Sequence, residues 1–266
     1  MAKKNKEEKR VRYYSDALND DFAGTKIKET PFPEKLKYIH PKNFLWNFCS
    51  WFIYFVVAIP VLWIVGKIMY NIKVVGKKNL KAVKHKGVFI YGNHTQIGDA
   101  WLAQCHLTRS RRTYIFADKD AVSIKGIRTL VMMIGCLPIP DLAHKDQFIE
   151  AIKYHYNKKR VLVVYPEKHI WPYYTHIRNF PDDSFIYPAT LGAPVVPICV
   201  TYRKRKIFKN KSPRMTCHVG KPIFPDMTYS LMERKKQLRD ACYEFMIDKS
   251  SEEENVEYIQ YIKKDQ

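Results

Sequence analysis

From Phe44 to Gly66 the chain reads FLWNFCSWFIYFVVAIPVLWIVG, a run of 23 residues without a formal charge. At about 1.5 Å of rise per residue, a helix of this length reaches across a hydrocarbon core of about 30 Å. A helix in a soluble core normally keeps a polar face, and this one offers only Asn47 and Ser50. Residues 44–70 are therefore expected to form a membrane-associated helix or kinked helix pair. Pro60 would bend it, which leaves two readings, a true span and a re-entrant or interfacial pair of half-helices. Lysines flank both ends (Lys42 before, Lys67 and Lys73 after), so the positive-inside rule sets no orientation. The interfacial reading keeps everything else on one side, and the expected location is the cell membrane with the domain that follows on its cytoplasmic face.

Residues 1–43 mix Lys, Glu and Asp with a few aromatics and read as a charged, partly disordered tail. The alternative is a polybasic segment lying against an anionic leaflet, where each Lys or Arg contributes about 1 kcal/mol. No secretory signal is read there, because the apolar run starts too late and is too long. The net charge of +20 points to an anionic partner such as nucleic acid, lipid headgroups or a phosphorylated substrate. The six scattered cysteines include no CxxC pair and suggest reduced core residues in a cytosolic compartment.

From Ile72 onward strands and helices alternate. Strands are expected at Ile72–Gly76, Gly87–Tyr91, Thr113–Ala117 and Val161–Val164, the last a continuous apolar run suited to burial on both faces. A further strand at Val195–Val200 contains Pro197, which suggests a sheet edge or a strand start. Helices are expected from about Asp99 to Leu107, Ile124 to Ile134 and Asp146 to Tyr156, and after the capping-box pattern Ser230-Leu231-Met232-Glu233. This alternation predicts an α/β fold over residues 71–266, a mostly parallel or mixed sheet flanked by helices, preceded by the N-terminal membrane-associated segment.

At the end of the second strand stands Gly92-Asn93-His94-Thr95-Gln96-Ile97-Gly98-Asp99. Five residues on one helix turn through about 500°, so His94 and Asp99 would not share a face of a continuous helix. They can meet if His94 lies in the turn after the strand and Asp99 in the first turn of the helix, with Gly92 and Gly98 supplying backbone freedom. A histidine can take a proton from a hydroxyl, and a neighbouring carboxylate fixes its tautomer and stabilises the imidazolium. No GxSxG elbow supplies a protein nucleophile, so the hydroxyl would belong to a substrate, which fits acyl transfer onto an alcohol. By itself the pair reads more readily as a core histidine beside a helix-capping aspartate, since HxxxxD often occurs by chance.

The order Gly76-Lys77-Lys78-Asn79-Leu80, apolar strand, Asn93-His94-Thr95-Gln96-Ile97-Gly98-Asp99 resembles the first block of the glycerolipid, or lysophosphatidic acid, acyltransferase (PlsC-like) family, whose hallmark is NHxxxxD. Tyr165-Pro166-Glu167 is similar to the start of that family's FPEGTR block, and Ala193-Pro194-Val195-Val196-Pro197-Ile198 to its VPVVP block. The resemblance covers about residues 72–200. It implies an O-acyltransferase in phospholipid biosynthesis that moves a fatty acyl group from acyl-CoA or acyl carrier protein to a hydroxyl of a lysophospholipid such as 1-acylglycerol 3-phosphate. His94 would be the general base and Asp99 its charge partner. Backbone N–H groups near the His94 or Glu167 turns are candidates for the oxyanion site.

The departures concern the acceptor. Lys168-His169-Ile170 stand where the family has Gly-Thr-Arg, and Asp141 falls where its second-block arginine stands. Those arginines are associated with the acceptor phosphate, and a carboxylate there would repel a phosphate monoester. A different lipid, glycolipid or cell-envelope acceptor is the alternative, with Lys119, Lys168, His169 and Arg178 as substitute cations. Asn93 and Glu167 complete the expected substrate-binding set, Glu167 either bonding acceptor hydroxyls or capping the following turn. The aromatic segment Lys168–Arg178 reads either as an ordered surface loop packed by aromatics or as an acceptor pocket.

No cofactor is implied beyond the acyl donor, and no recurring His spacing suggests a metal. The cluster Arg203-Lys204-Arg205-Lys206 follows a strand in a chain with a membrane segment, so anionic lipid or an acidic carrier is expected there, with no nucleic acid partner. A non-catalytic basic membrane-surface protein is the remaining alternative. Oligomeric state is not read from the sequence.

Overall fold

The structure, a computed structural model, describes residues 10–23, 33, 36–40, 42–123, 125–207, 212–252 and 254–264. Its centre is a seven-stranded sheet in the order β2-β8-β7-β3-β6-β4-β5. The strands are β2 (Lys73–Val75), β3 (Val88–Gly92), β4 (Thr113–Ala117), β5 (Cys136–Pro138), β6 (Val161–Val164), β7 (Val195–Arg203) and β8 (Arg214–Val219). β7 and β8 pair antiparallel and every other neighbouring pair is parallel, so β2 and β8 run against the other five strands.

The continuous apolar texture of the central strands follows from burial on both faces. Along β3, Phe89 and Tyr91 enter one core cluster and Val88 and Ile90 the other; β6 divides in the same way, Leu162 and Val164 against Val161 and Val163. The first cluster is closed by α5 (Lys145–Asn157) and α7 (Leu231–Ser250), through Phe148 and Ile152 and through Leu238, Cys242 and Met246. The second is closed by Leu102, Ala103 and Leu107, from α3 (Asp99–Leu102) and the π-helical turn that prolongs it to Leu107. α7 begins on the expected capping box, Glu233 N donating to Ser230 Oγ and Ser230 N to Glu233 Oε2 at 2.8 Å.

The apolar run is one helix, Phe44–Met69, assembled from α1 (Phe44–Phe52), a π-helical segment (Ile53–Ala58) and α2 (Ile59–Met69). It is long and apolar enough to cross a membrane, and only 17% of its most apolar window is buried. Its inner face is pinned to the domain. Tyr54 Oη accepts from Thr113 N at 3.1 Å, and the Arg112 guanidinium lies 4.1 Å from the Tyr54 ring centroid while donating to Ser50 O at 3.1 Å. At its far end Tyr70 lies under Gly98, so the helix runs from the start of β4 to the His94–Asp99 loop.

Three expectations are corrected. The tail is structured where it is described: β1 (Arg10–Tyr14) pairs in parallel with β9 (Ile259–Lys263) from the other terminus, and Leu36 and Tyr38 are buried in the core. Residues 1–9, 24–32, 34, 35 and 41 lie outside the described set. Pro197 is neither at an edge nor at a strand start; it is the third residue of an inner strand, on the side where Gly220 N donates to its carbonyl, beyond the last β7–β8 ladder pair. Its missing N–H therefore costs no ladder bond. Gly92 and Gly98 are not in the left-handed region. They are small because a Cβ would come within 2.8 Å of Ile198 at Gly92 and 2.7 Å of the Tyr70 ring at Gly98.

Candidate active site

The parallel strands β3, β6, β4 and β5 all end on one side of the sheet, the side on which ligands bind in open α/β sheets. His94 follows β3, Glu167 follows β6, Lys119 follows β4 and Asp141 follows β5. The sheet order, which brings β6 between β3 and β4, therefore collects residues separated by more than 70 positions at one edge.

The turn after β3 is wound around the Asp99 carboxylate. Asp99 is buried, and its Oδ2 accepts from Thr95 N at 2.6 Å, Gln96 N at 2.8 Å and His94 Nδ1 at 3.3 Å. Asp99 opens α3, so His94 in the turn and Asp99 in the first helical turn meet as the spacing requires. Donation from Nδ1 to a carboxylate leaves the His94 Nε2 lone pair as the proton acceptor, and no described residue is bonded to Nε2. The ring keeps 15% of its surface exposed and stacks on Tyr165 at 4.5 Å between centroids. Tyr165 donates to Asp99 O at 2.5 Å, and burial raises its phenol well above the ordinary tyrosine range.

Glu167 is fully buried and holds the backbone of two loops. Its Oε2 accepts from His94 N at 3.1 Å, its Oε1 accepts from Arg178 N at 3.0 Å, and the Arg178 guanidinium pairs with it at 3.1 Å. Of the two sequence readings, the turn-capping one describes this carboxylate, which has no face left for acceptor hydroxyls. Arg178 likewise faces inward, its Nε buried without a partner among the described residues. Only 3% exposed, it donates to Glu167, to His169 O and to Ala17 O, so it cannot serve as a cation for a substrate phosphate. Asn93 also looks inward, exchanging two hydrogen bonds with the backbone of Val200 at 2.8 and 3.0 Å and so fixing the motif turn to β7.

Lys168 is exposed, with φ of 66°, and His169 and Lys119 are half-buried; Lys168 and His169 lie in the loop after β6 and Lys119 opens the 3₁₀ turn Lys119–Val122 after β4, at the same end of the sheet as His94. Asp141 pairs with His144 at 2.7 Å, a hydrogen bond that holds its carboxyl below the usual range. The 168–178 segment is an ordered loop packed by aromatics, exposed at Lys168 and His176 and closed over Trp171. Trp171 has no exposed surface, and the segment's backbone is bonded to the motif turn, Trp171 N to His94 O and Tyr173 N to Thr95 O, both at 3.1 Å. Two supports escaped the sequence reading: Tyr202, donating to Thr95 Oγ1 at 2.8 Å, and Gln96, donating to Tyr202 Oη at 3.2 Å. A tyrosine inside a strand carries no signal of that use. Among the described residues no group of His, Cys, Asp and Glu side chains is placed to hold a metal ion.

Residues 71–201 match the family model described as Acyltransferase. Among solved structures the chain is similar to the crystal structure of the 1-acyl-sn-glycerophosphate (LPA) acyltransferase PlsC from Thermotoga maritima. The two share 15% identity with a TM-score of 0.57, over 78% of this chain and 88% of that one. No curated protein matches the chain. The matched segment contains His94, Asp99 and Glu167, and the fold is PlsC-like.

Proposed function

Residues 71–201 make this chain an acyltransferase, and from that premise we propose that it transfers a fatty acyl group from a thioester, acyl-CoA or acyl carrier protein, to a lysophospholipid hydroxyl. The acceptor class we infer is that of 1-acylglycerol 3-phosphate. The observation that carries the reading is the His94 Nδ1–Asp99 Oδ2 pair at the mouth of β3, with Nε2 unengaged by any described residue. His94 Nε2 removes the acceptor's hydroxyl proton as the alkoxide oxygen attacks the thioester carbonyl. Asp99 holds the tautomer and offsets the imidazolium charge. The tetrahedral oxyanion collapses with loss of the thiolate, which takes the proton back from Nε2, leaving an ester and a thiol. The membrane helix brings the domain to its acceptor, and the chemistry takes place on the cytoplasmic face.

A second reading keeps the chemistry and changes the acceptor. It is favoured by the acid at Asp141 and by the engagement of Arg178 with Glu167, which leave Lys119, Lys168 and His169 to meet an anionic headgroup. The test uses purified protein in detergent with palmitoyl-CoA and, separately, palmitoyl-acyl carrier protein, each offered 1-acylglycerol 3-phosphate and a total lipid extract. Ester formation that is lost in His94→Ala is expected. Wild-type protein that consumes neither donor with any acceptor overturns the catalytic reading, and a product from the extract alone selects the second acceptor class.

A further inference from the structure

We propose that residues 10–23 and 255–263, which lie outside the segment matched to the acyltransferase family, are a positioning device for His94, acting through Trp171 and Arg178. The inference deepens the catalytic reading above and rests on it for the role of His94.

The His94 backbone is gripped on both sides by the loop that follows β6: its N–H by Glu167 and its carbonyl by Trp171 N. That loop is held in place by distant chain. The Trp171 indole donates to Asp20 O at 2.7 Å, Phe22 N donates to Ile170 O at 3.3 Å, and Arg178 donates to Ala17 O at 3.3 Å. The Trp171 ring is enclosed by Tyr14 at 4.8 Å, Phe22 at 5.1 Å and Tyr261 at 4.9 Å, with the Arg178 guanidinium 4.9 Å from the centroid. From the C-terminal side, Asn255 donates to Thr175 O and Tyr261 to Pro172 O, both at 2.9 Å.

Tyr14 lies on β1 and Tyr261 on β9, and among the described residues these two strands pair only with each other. An isolated two-stranded sheet is marginal in water, so its order comes from docking on Trp171. The dependence is mutual. Without Tyr14 and Phe22 a fully buried tryptophan meets solvent, and the loop that fixes both the N–H and the C=O of His94 loses its outer wall. Trp171 and Arg178 are thus positioning residues, and residues 10–23 complete a site whose motifs lie far along the chain.

The experiment compares wild type with Tyr14→Ala/Phe22→Ala and with Tyr14→Phe/Phe22→Tyr, which keeps both rings, all as full chains in detergent. Amide hydrogen exchange is followed by peptide for residues 92–96, 168–178 and, as a control, α7. The expected result is exchange at least tenfold faster at 92–96 and 168–178 in the alanine pair, unchanged in α7, and restored in the ring-keeping pair. In parallel, kcat for His94-dependent palmitoyl-CoA consumption falls at least tenfold with KM within twofold. Exchange at 92–96 within twofold of wild type in the alanine pair overturns the inference, as does faster exchange spread equally over α7. Because exchange is read without turnover, inactive wild-type protein would count against the catalytic reading alone.

Discussion

The buried carboxylate of Glu167 accepts the backbone N–H of His94 at 3.1 Å while its other oxygen accepts Arg178 N at 3.0 Å and the Arg178 guanidinium closes on it. Every group facing this carboxylate is a donor. In Glu167→Gln an amide NH2 must confront one of them, and Arg178 becomes a buried cation without its counter-ion, a loss of order 3–5 kcal/mol. The expected outcome is a lower urea midpoint together with a kcat reduced at least tenfold, and Glu167→Gln with wild-type values for both would remove the carboxylate from its role in holding His94.

Asp99→Asn separates charge from scaffolding. The amide oxygen can still receive Thr95 N and Gln96 N, which hold the turn at 2.6 and 2.8 Å, but it no longer offsets the charge that His94 acquires. General-base catalysis contributes about 10²–10⁴-fold. A fall in kcat of about 10²-fold or more is expected, with KM for the thioester little changed and the thermal midpoint close to wild type. A variant that unfolds instead would assign the carboxylate to the turn alone.

Two buried histidines away from the site govern stability toward acid. Burial, with Arg160 and Arg112 nearby, takes His155 down to about 2, and burial, with Lys67, Lys77 and Arg109, takes His106 down to about 4. The unfolded chain protonates both near 6.5. Below that pH the unfolded state binds protons that the native state refuses, so stability is complete above about pH 6.5 and falls with acidification. Each histidine contributes about 1.4 kcal/mol per pH unit, His106 down to about pH 4 and His155 further. Urea titrations between pH 7 and 5 on wild type and His155→Gln check this; the variant's slope should be shallower by about one proton, and equal slopes would reject the assignment.

Much of this fold is written in local pattern. The two-faced runs at β3 and β6, the capping box at Ser230–Glu233 and the His94–Asp99 turn were all legible because each depends on near neighbours. What was not legible depends on chain brought from far away. The β1–β9 pairing joins residues about 250 positions apart, and nothing in RVRYY announces a parallel partner. The short β5, CLP, and β8, RMTCHV, lack alternation strong enough to stand out from loops. Arg178 and Glu167 looked like substrate groups because loop charges usually face solvent; only the tertiary fold shows them spent on each other. Asn93 misled for the same reason, its amide serving Val200.

The helix Phe44–Met69 presents one apolar face outward along its whole length while its other face is bonded to the domain through Tyr54, Ser50 and Arg112. Phe48 and Trp51 are each 52% exposed on that outer face and partially stack on each other at 6.5 Å, so neither supports the domain core. Transfer of a large apolar side chain out of water is worth about 1.5–3 kcal/mol. Phe48→Glu/Trp51→Glu removes two such transfers and adds two anionic groups facing an anionic surface. Co-sedimentation with vesicles containing phosphatidylglycerol should weaken by about 10³-fold or more, while the thermal midpoint in detergent stays within a few degrees of wild type. Acyl transfer to a detergent-dispersed acceptor should be retained and transfer to a vesicle-embedded one lost. If the variant sediments with vesicles as wild type does, the exposed stripe is not the membrane-binding face and the basic residues flanking it must hold the protein there instead.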